Sequence, residues 1–195
     1  MEVLSRLPQI VLASLRDSGW VWLAAALGLV AVTAGVARWR RSAPQRRLRR
    51  TIQRLGPRVL SDVTIPDAVA GRLHLEHLVL TTRDVLVVDI KDYRGMLFGG
   101  ETTDFWTQVV DGRSFKFDNP LRENAARVHA VQALAGDIPV QGVVVFTDAG
   151  EFPRQRPTGV YMLSSLLSER DPAPLHTPVP LPLQEGWRQI TSTVR

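Results

Sequence analysis

The stretch Val85-Leu86-Val87-Val88-Asp89-Ile90-Lys91-Asp92-Tyr93 decides how this chain is read. Its apolar, β-branched run predicts a buried strand, and the run ends on an acid and a base two residues apart, which a strand projects from one face. A carboxylate and an ammonium leaving a buried strand together are costly to desolvate unless they meet each other, a metal or a substrate. Lysine is also rare here, since the chain holds 22 Arg but only Lys91 and Lys116. Where arginine is the default cation, a lysine at this strand end points to a compact ammonium rather than a guanidinium fork. Asp89 and Lys91 are therefore candidate site residues.

The strand before it is predicted over Arg72 to Thr81, with the turn at Thr81-Thr82-Arg83-Asp84. A hairpin with a two- or four-residue loop sets Glu76 opposite Asp89, with both side chains on one face about 5 Å apart. An odd loop shifts the pairing by one residue and removes that relation. Two like charges so placed repel, and a divalent cation between them resolves the repulsion. Two carboxylates, a backbone carbonyl and waters make a hard oxygen site suited to Mg²⁺ or Mn²⁺. Lys91 then orients or helps deprotonate a metal-bound water, or stabilises negative charge developing on a phosphate.

Composition narrows the field. The 195 residues, 45% apolar, are enough for one domain with extra elements. The absence of cysteine excludes disulfides, thiolate metal sites and a cysteine nucleophile. The net charge of +5 divides unevenly: residues 1–50 carry about +7 and residues 51–195 about −2. The basic pI thus belongs to the N-terminal segment and is no argument for nucleic-acid binding by the rest.

That segment has its own explanation. Gly19 to Ala37 is 19 residues without a charge, about 28 Å as a helix against a hydrocarbon core of roughly 30 Å. A transmembrane helix is expected over 19–40, flanked by Trp20, Trp22 and Trp39 at the interfaces. Seven Arg between Arg38 and Arg50 place the C-terminal side in the cytoplasm by the positive-inside rule and suit anionic lipid headgroups. A cleaved signal peptide, with Gly35-Val36-Ala37 as its site, is the competing reading; the length of the apolar run and the Arg cluster oppose it. The expected divisions are an N-terminal segment 1–18, the span 19–40, a basic juxtamembrane segment 41–57, an α/β domain 58–170, and a proline-rich linker with a short helix over 171–195.

Within the domain, strands are expected over Arg58 to Ile65, Arg72 to Thr81 and Asp84 to Lys91, with a hairpin of Phe105 to Val110 and Arg113 to Phe117 around Asp111-Gly112. A helix follows from Pro120 to Leu134, capped by Asn119 and ended by Gly136; then come strands at Val143 to Phe146 and Gly159 to Leu163 and a terminal helix over Leu183 to Val194. His74 and His77 fall on opposite faces and read as separately satisfied polar residues. Trp106 reads as core, and Asp92, Asp148 and Glu151 as loop residues. Gln108 either reaches the site from the hairpin or pairs with backbone. No glycine-rich phosphate loop, Gly-X-Ser-X-Gly elbow or zinc spacing is present.

The ordered set Leu75-Glu76-His77-Leu78, Val85 to Gly95, Trp106-Thr107-Gln108 and Asn119-Pro120-Leu121-Arg122 with Asn124 resembles the nuclease-related domain (NERD) of the restriction-endonuclease-like nucleases, over roughly Val59 to Leu166. The resemblance implies an α/β fold, a mixed β-sheet core flanked by helices, a divalent metal on Glu76 and Asp89, Lys91 as catalytic lysine, and a role in DNA processing. The chain departs from the family pattern in four places. Glu76 stands where the family usually has Asp, Asp89 where it usually has Glu, and Glu123 where Gln is common; Gln45 to Leu55 lacks the acid of the preceding helix. The expectation is a membrane-anchored, metal-dependent nuclease on DNA, the alternative a catalytically inactive nuclease-like module that binds nucleic acid or a partner protein.

Overall fold

The computed structural model describes residues 45–66 and 71–194. The expected span 19–40 lies outside them, and among the described residues no helix is long and apolar enough to cross a membrane. Residues 45–53 are helical (α1). The expected basic segment therefore continues into folded structure, with Ile52 and Leu55 buried.

The local turn signals act as their chemistry requires. Asp111 (φ 51°) and Gly112 (φ 75°) are left-handed at consecutive positions, which suits a two-residue hairpin. They join β5 (Phe105–Val110) to β6 (Arg113–Asp118). Between β2 (Arg72–Leu80) and β3 (Val85–Lys91), Thr81 Oγ1 accepts the amides of Arg83 and Asp84 at 3.0 Å each and bonds the Asp84 carboxylate at 2.7 Å. This side-chain turn sets Leu80 opposite Val85 and His77 opposite Val88, the expected register.

The first sheet runs β1-β2-β3-β7-β9, with β1 Arg58–Pro66, β7 Val140–Phe146 and β9 Val160–Met162. Its first three strands are antiparallel; β7 and β9 join parallel to β3. The parallel step from β3 to β7 needs a crossover, supplied by α2 (Pro120–Ala135). A second sheet, β6-β5-β4-β8, adds β4 (Gly95–Phe98) and β8 (Gly150–Glu151). Neither of these short strands is anticipated by sequence pattern, because each has too few residues to show a period.

Helices cover the first sheet on both faces, so the fold is α/β with two mixed sheets flanked by helices. On one face Val131 and Ala135 of α2 meet Leu78, Leu80, Val85 and Val87. On the other, Ile52, Leu55 and Leu166 of α3 (Leu166–Arg170) cover Val79, Leu86, Val88, Val143 and Val145. Gly142 lets α2 approach closely, since a Cβ there would lie 2.9 Å from Val128 and 3.1 Å from Asn124. A third cluster, Leu97, Trp106, Val144, Phe146 and Val160, seats the second sheet against β7 and β9, and Trp106 is core as expected.

The terminal helix, α4 (Leu181–Thr193), is more than an appendage behind a linker. Its Leu183, Trp187 and Ile190 are buried in the same cluster as α2, and residues Leu48–Arg195 form one compact unit. Trp187→Ala should therefore lower the unfolding free energy by about 3–5 kcal/mol. Urea denaturation of the variant checks this; a loss below about 1 kcal/mol, typical of exposed positions, would mean that α4 is not core.

Candidate functional site

The site begins where the pleat of β1 and β2 slips. Leu78 and Leu80 face α2, and so do Leu75, Val63 and Ile65, although strict alternation would put Leu75 on the far side. The slip falls at Asp62, left-handed at φ 59° inside a strand, and the β1–β2 pairing passes over Asp62 and Glu76. The β2–β3 ladder also ends at His77 opposite Val88. The expected pair of Glu76 directly across from Asp89 is not formed, because β2 leaves the ladder one residue early.

What replaces it is a side-chain bond. Glu76 Oε2 accepts the Ile90 amide at 2.7 Å, taking over from the backbone of β2 as β3 loses its partner. Burial is the largest influence on this carboxyl; the Ile90 amide works against it and the Asp89 charge adds to it, so its pKa is raised above the ordinary 4.5. Glu76 and Asp89 thus feel each other's charge although they are not a cross-strand pair.

Asp89 itself is only 2% exposed. Two cations meet its Oδ2: Lys91 Nζ at 3.2 Å and Arg127 Nη1 at 3.3 Å. Lys91 also bonds Glu123 Oε2 at 2.9 Å. Glu123 and Arg127 are one turn apart on α2, so they share a helix face. The helix is fixed there by Asn119, whose Oδ1 accepts the Leu121 amide at 2.9 Å and whose Nδ2 lies 2.7–3.2 Å from the carbonyls of Gly100, Glu101 and Thr103. Asn119 is thus a cap, as expected, and also ties the 100–103 loop. Asn124, one residue past Glu123, donates from Nδ2 to the Val87 carbonyl at 3.1 Å, while its buried Oδ1 has no partner.

Burial opposes the charge on Lys91, but the Glu123 hydrogen bond and the charge and hydrogen bond of Asp89 outweigh it and raise the lysine pKa. Lys91 is therefore a fixed cation at neutral pH and is not placed to act as a base. The cluster of Glu76, Asp89, Glu123, Lys91 and Arg127 carries one net negative formal charge.

The remaining expected residues are dispersed. Gln108 Nε2 donates to the Arg94 carbonyl at 2.8 Å, the backbone pairing of its two expected roles. His77 bonds Ser61 Oγ at 2.8 Å, with its pKa lowered chiefly by burial, and His74 lies 3.5 Å from Asp62. Among the described residues no group of three or more His, Asp or Glu side chains converges as a cation site. The donor set that remains is two carboxylates, Glu76 and Asp89, one oxygen of each outside the contacts just given. Such a set fits a hard divalent ion that keeps most of its water, as Mg²⁺ does. Arg127 escaped sequence reasoning because it is one arginine among 22, although the Glu123-to-Arg127 spacing was the available signal.

A protein of Bacillus anthracis described as uncharacterized is 28% identical over 102 residues, 51% of this chain and 48% of its own length, so the chain spans about half of that relative. No solved structure matches the chain. The nuclease-related domain model matches residues 40–147, which include Glu76, Asp89, Lys91, Glu123 and Arg127, and with more than half of its length matched the chain belongs to the NERD family.

Proposed function

We propose that this domain is a nuclease acting on DNA phosphodiesters, built on a restriction-endonuclease-like core and using Mg²⁺ or Mn²⁺. One juxtaposition carries the reading: the end of a buried strand holds Asp89 and Lys91 3.2 Å apart, with the Glu76 carboxylate on the intervening Ile90 amide. Glu76 and Asp89 would hold the metal, which supplies Lewis-acid polarisation of a phosphate oxygen. Lys91, protonated and held by two carboxylates, stabilises negative charge on the phosphoryl oxygens. Glu76, with Oε2 on the Ile90 amide, keeps its other oxygen for the metal.

A second reading rests on the same cluster. Asp89 is already compensated by Lys91 and Arg127, and Lys91 by Glu123, which describes equally a non-catalytic module that binds nucleic acid or a partner protein. For location we infer a single membrane span at Gly19 to Ala37 with the domain on the cytoplasmic side, supported by the charge-free run and the Arg cluster after it.

Three measurements test these readings. Labelled DNA incubated with the full chain should be cleaved only when Mg²⁺ or Mn²⁺ is added. Asp89→Asn and Lys91→Ala should each slow cleavage about 100-fold or more; no metal-dependent cleavage, or equal cleavage in all three proteins, leaves the binding module. Glu76→Gln keeps an acceptor for the Ile90 amide and removes the charge. Ionising Glu76 costs stability in the folded state, a cost absent below pH 4.5 and growing as pH rises through the raised folded value. The variant should therefore melt above the wild type at neutral pH and converge with it below pH 4.5; a lower Tm at pH 7 refutes the burial cost assigned to the ionised carboxylate. In cells the full chain should stay with membranes through alkaline carbonate and be released by detergent, and release by carbonate alone removes the anchor.

A further inference from the structure

The two lysines of this arginine-rich chain line one cleft. Lys91 and Lys116 border an opening of about 570 Å³, walled by Tyr93, Phe105 and Phe117, with the acids Asp118 and Glu123 also on its lining. They differ in what they touch. Lys91 is held by Asp89 and Glu123, whereas Lys116 makes no hydrogen bond or ion pair among the described residues. The aromatic walls differ in the same way. Tyr93 and Phe117 are stacked with centroids 4.3 Å apart, while Phe105 leaves 58% of its surface in water beside the fully buried Trp106.

The hairpin register joins the free cation to the free ring. Phe105 pairs with Asp118 and Thr107 with Lys116, so Phe105 and Lys116 are diagonal neighbours on one face of β5–β6, about 7–8 Å apart. An exposed aromatic face beside an unpaired ammonium, opening onto the Asp89–Lys91 cluster, matches a base and its phosphate. Stacking requires the face of a base, and a duplex presents base edges in its grooves rather than faces.

From this we infer that the cleft takes single-stranded nucleic acid, with an unpaired base stacked on Phe105 and the adjoining phosphate on Lys116; this rests on the reading of the Lys91 cluster as a phosphodiester site and names the form of its substrate. The unpaired ammonium favours this anionic occupant over an apolar peptide. Both contact residues lie on the surface, so their substitution leaves the core untouched.

The test is fluorescence anisotropy with the full chain in EDTA, where binding is read apart from cleavage. The probes are a labelled single-stranded oligonucleotide and the same strand annealed as a blunt duplex. The single strand should bind at least tenfold more tightly. Phe105→Ala should weaken single-strand binding about tenfold and leave duplex binding unchanged, Phe105→Trp should retain it, and Lys116→Ala should weaken binding and lower the salt slope by about one phosphate contact. Equal binding of the two forms, or a Phe105→Ala protein indistinguishable from wild type, overturns the inference and leaves the phosphodiester reading standing. Binding of neither form also overturns the inference, whereas the phosphodiester reading is decided separately by metal-dependent cleavage.

Discussion

A carboxylate with 2% of its surface in water must find its compensating charge inside the protein, and Asp89 finds it in Lys91 on its own strand and Arg127 on the crossover helix. The second contact makes the site and the fold interdependent. Removing one partner of a buried pair costs about 3–5 kcal/mol, because the other charge is left uncompensated. α2 must therefore dock with Glu123 and Arg127 over the end of β3. Several otherwise separate features serve that docking. Asn119 fixes where the helix starts, Gly142 lets it approach β7, Asn124 bonds the Val87 carbonyl of β3, and Val131 buries against the sheet. The crossover that parallel β3 and β7 require is also the element that neutralises the site.

Much of this framework is written locally. The β2–β3 register follows from the Thr81 turn, the hairpin from Asp111-Gly112, and the start of α2 from Asn119-Pro120, because each depends on dihedrals and hydrogen bonds within a few residues. The site is less legible for the same reason. Glu76 leaves its expected place because Asp62, distant in sequence, adopts a left-handed conformation and the pleat slips; nothing in the alternation of β2 announces it. Lys91 pairs with Glu123 and Asp89 with Arg127 across the gap from β3 to α2, and a pairing between distant segments appears in sequence only as complementary spacing: acid and base two apart on the strand, four apart on the helix.

The match to the family ends at residue 147, yet the first sheet does not. β7 would expose an edge of unpaired amides and carbonyls, open to pairing with another chain, without β9 beside it. The Leu78–Leu80 and Val85–Val87 face would lose Trp187 and Ile190 without α4. Residues 148–194 thus complete the sheet edge and parts of both core faces without supplying a side chain to the cluster around Asp89. Proline at 172, 174, 178 and 180 separates α3 from α4, limiting the conformations open to that connection in the unfolded chain.

The charges at the site divide by mobility. Lys91 is anchored at both oxygens it meets, so its ammonium is already oriented and little further entropy is lost when a phosphate arrives. That same anchoring limits its attraction for an anion, since two carboxylates already face it and the cluster is net negative. An anion approaching the cluster is opposed until a further positive charge is present, either a divalent ion on Glu76 and Asp89 or a cation outside the cluster. Lys116, on the neighbouring sheet and without a partner among the described residues, is the cation we propose for the second of these. Preorganisation and capture are then properties of different lysines, which gives a chain otherwise built on arginine a physical reason to carry two.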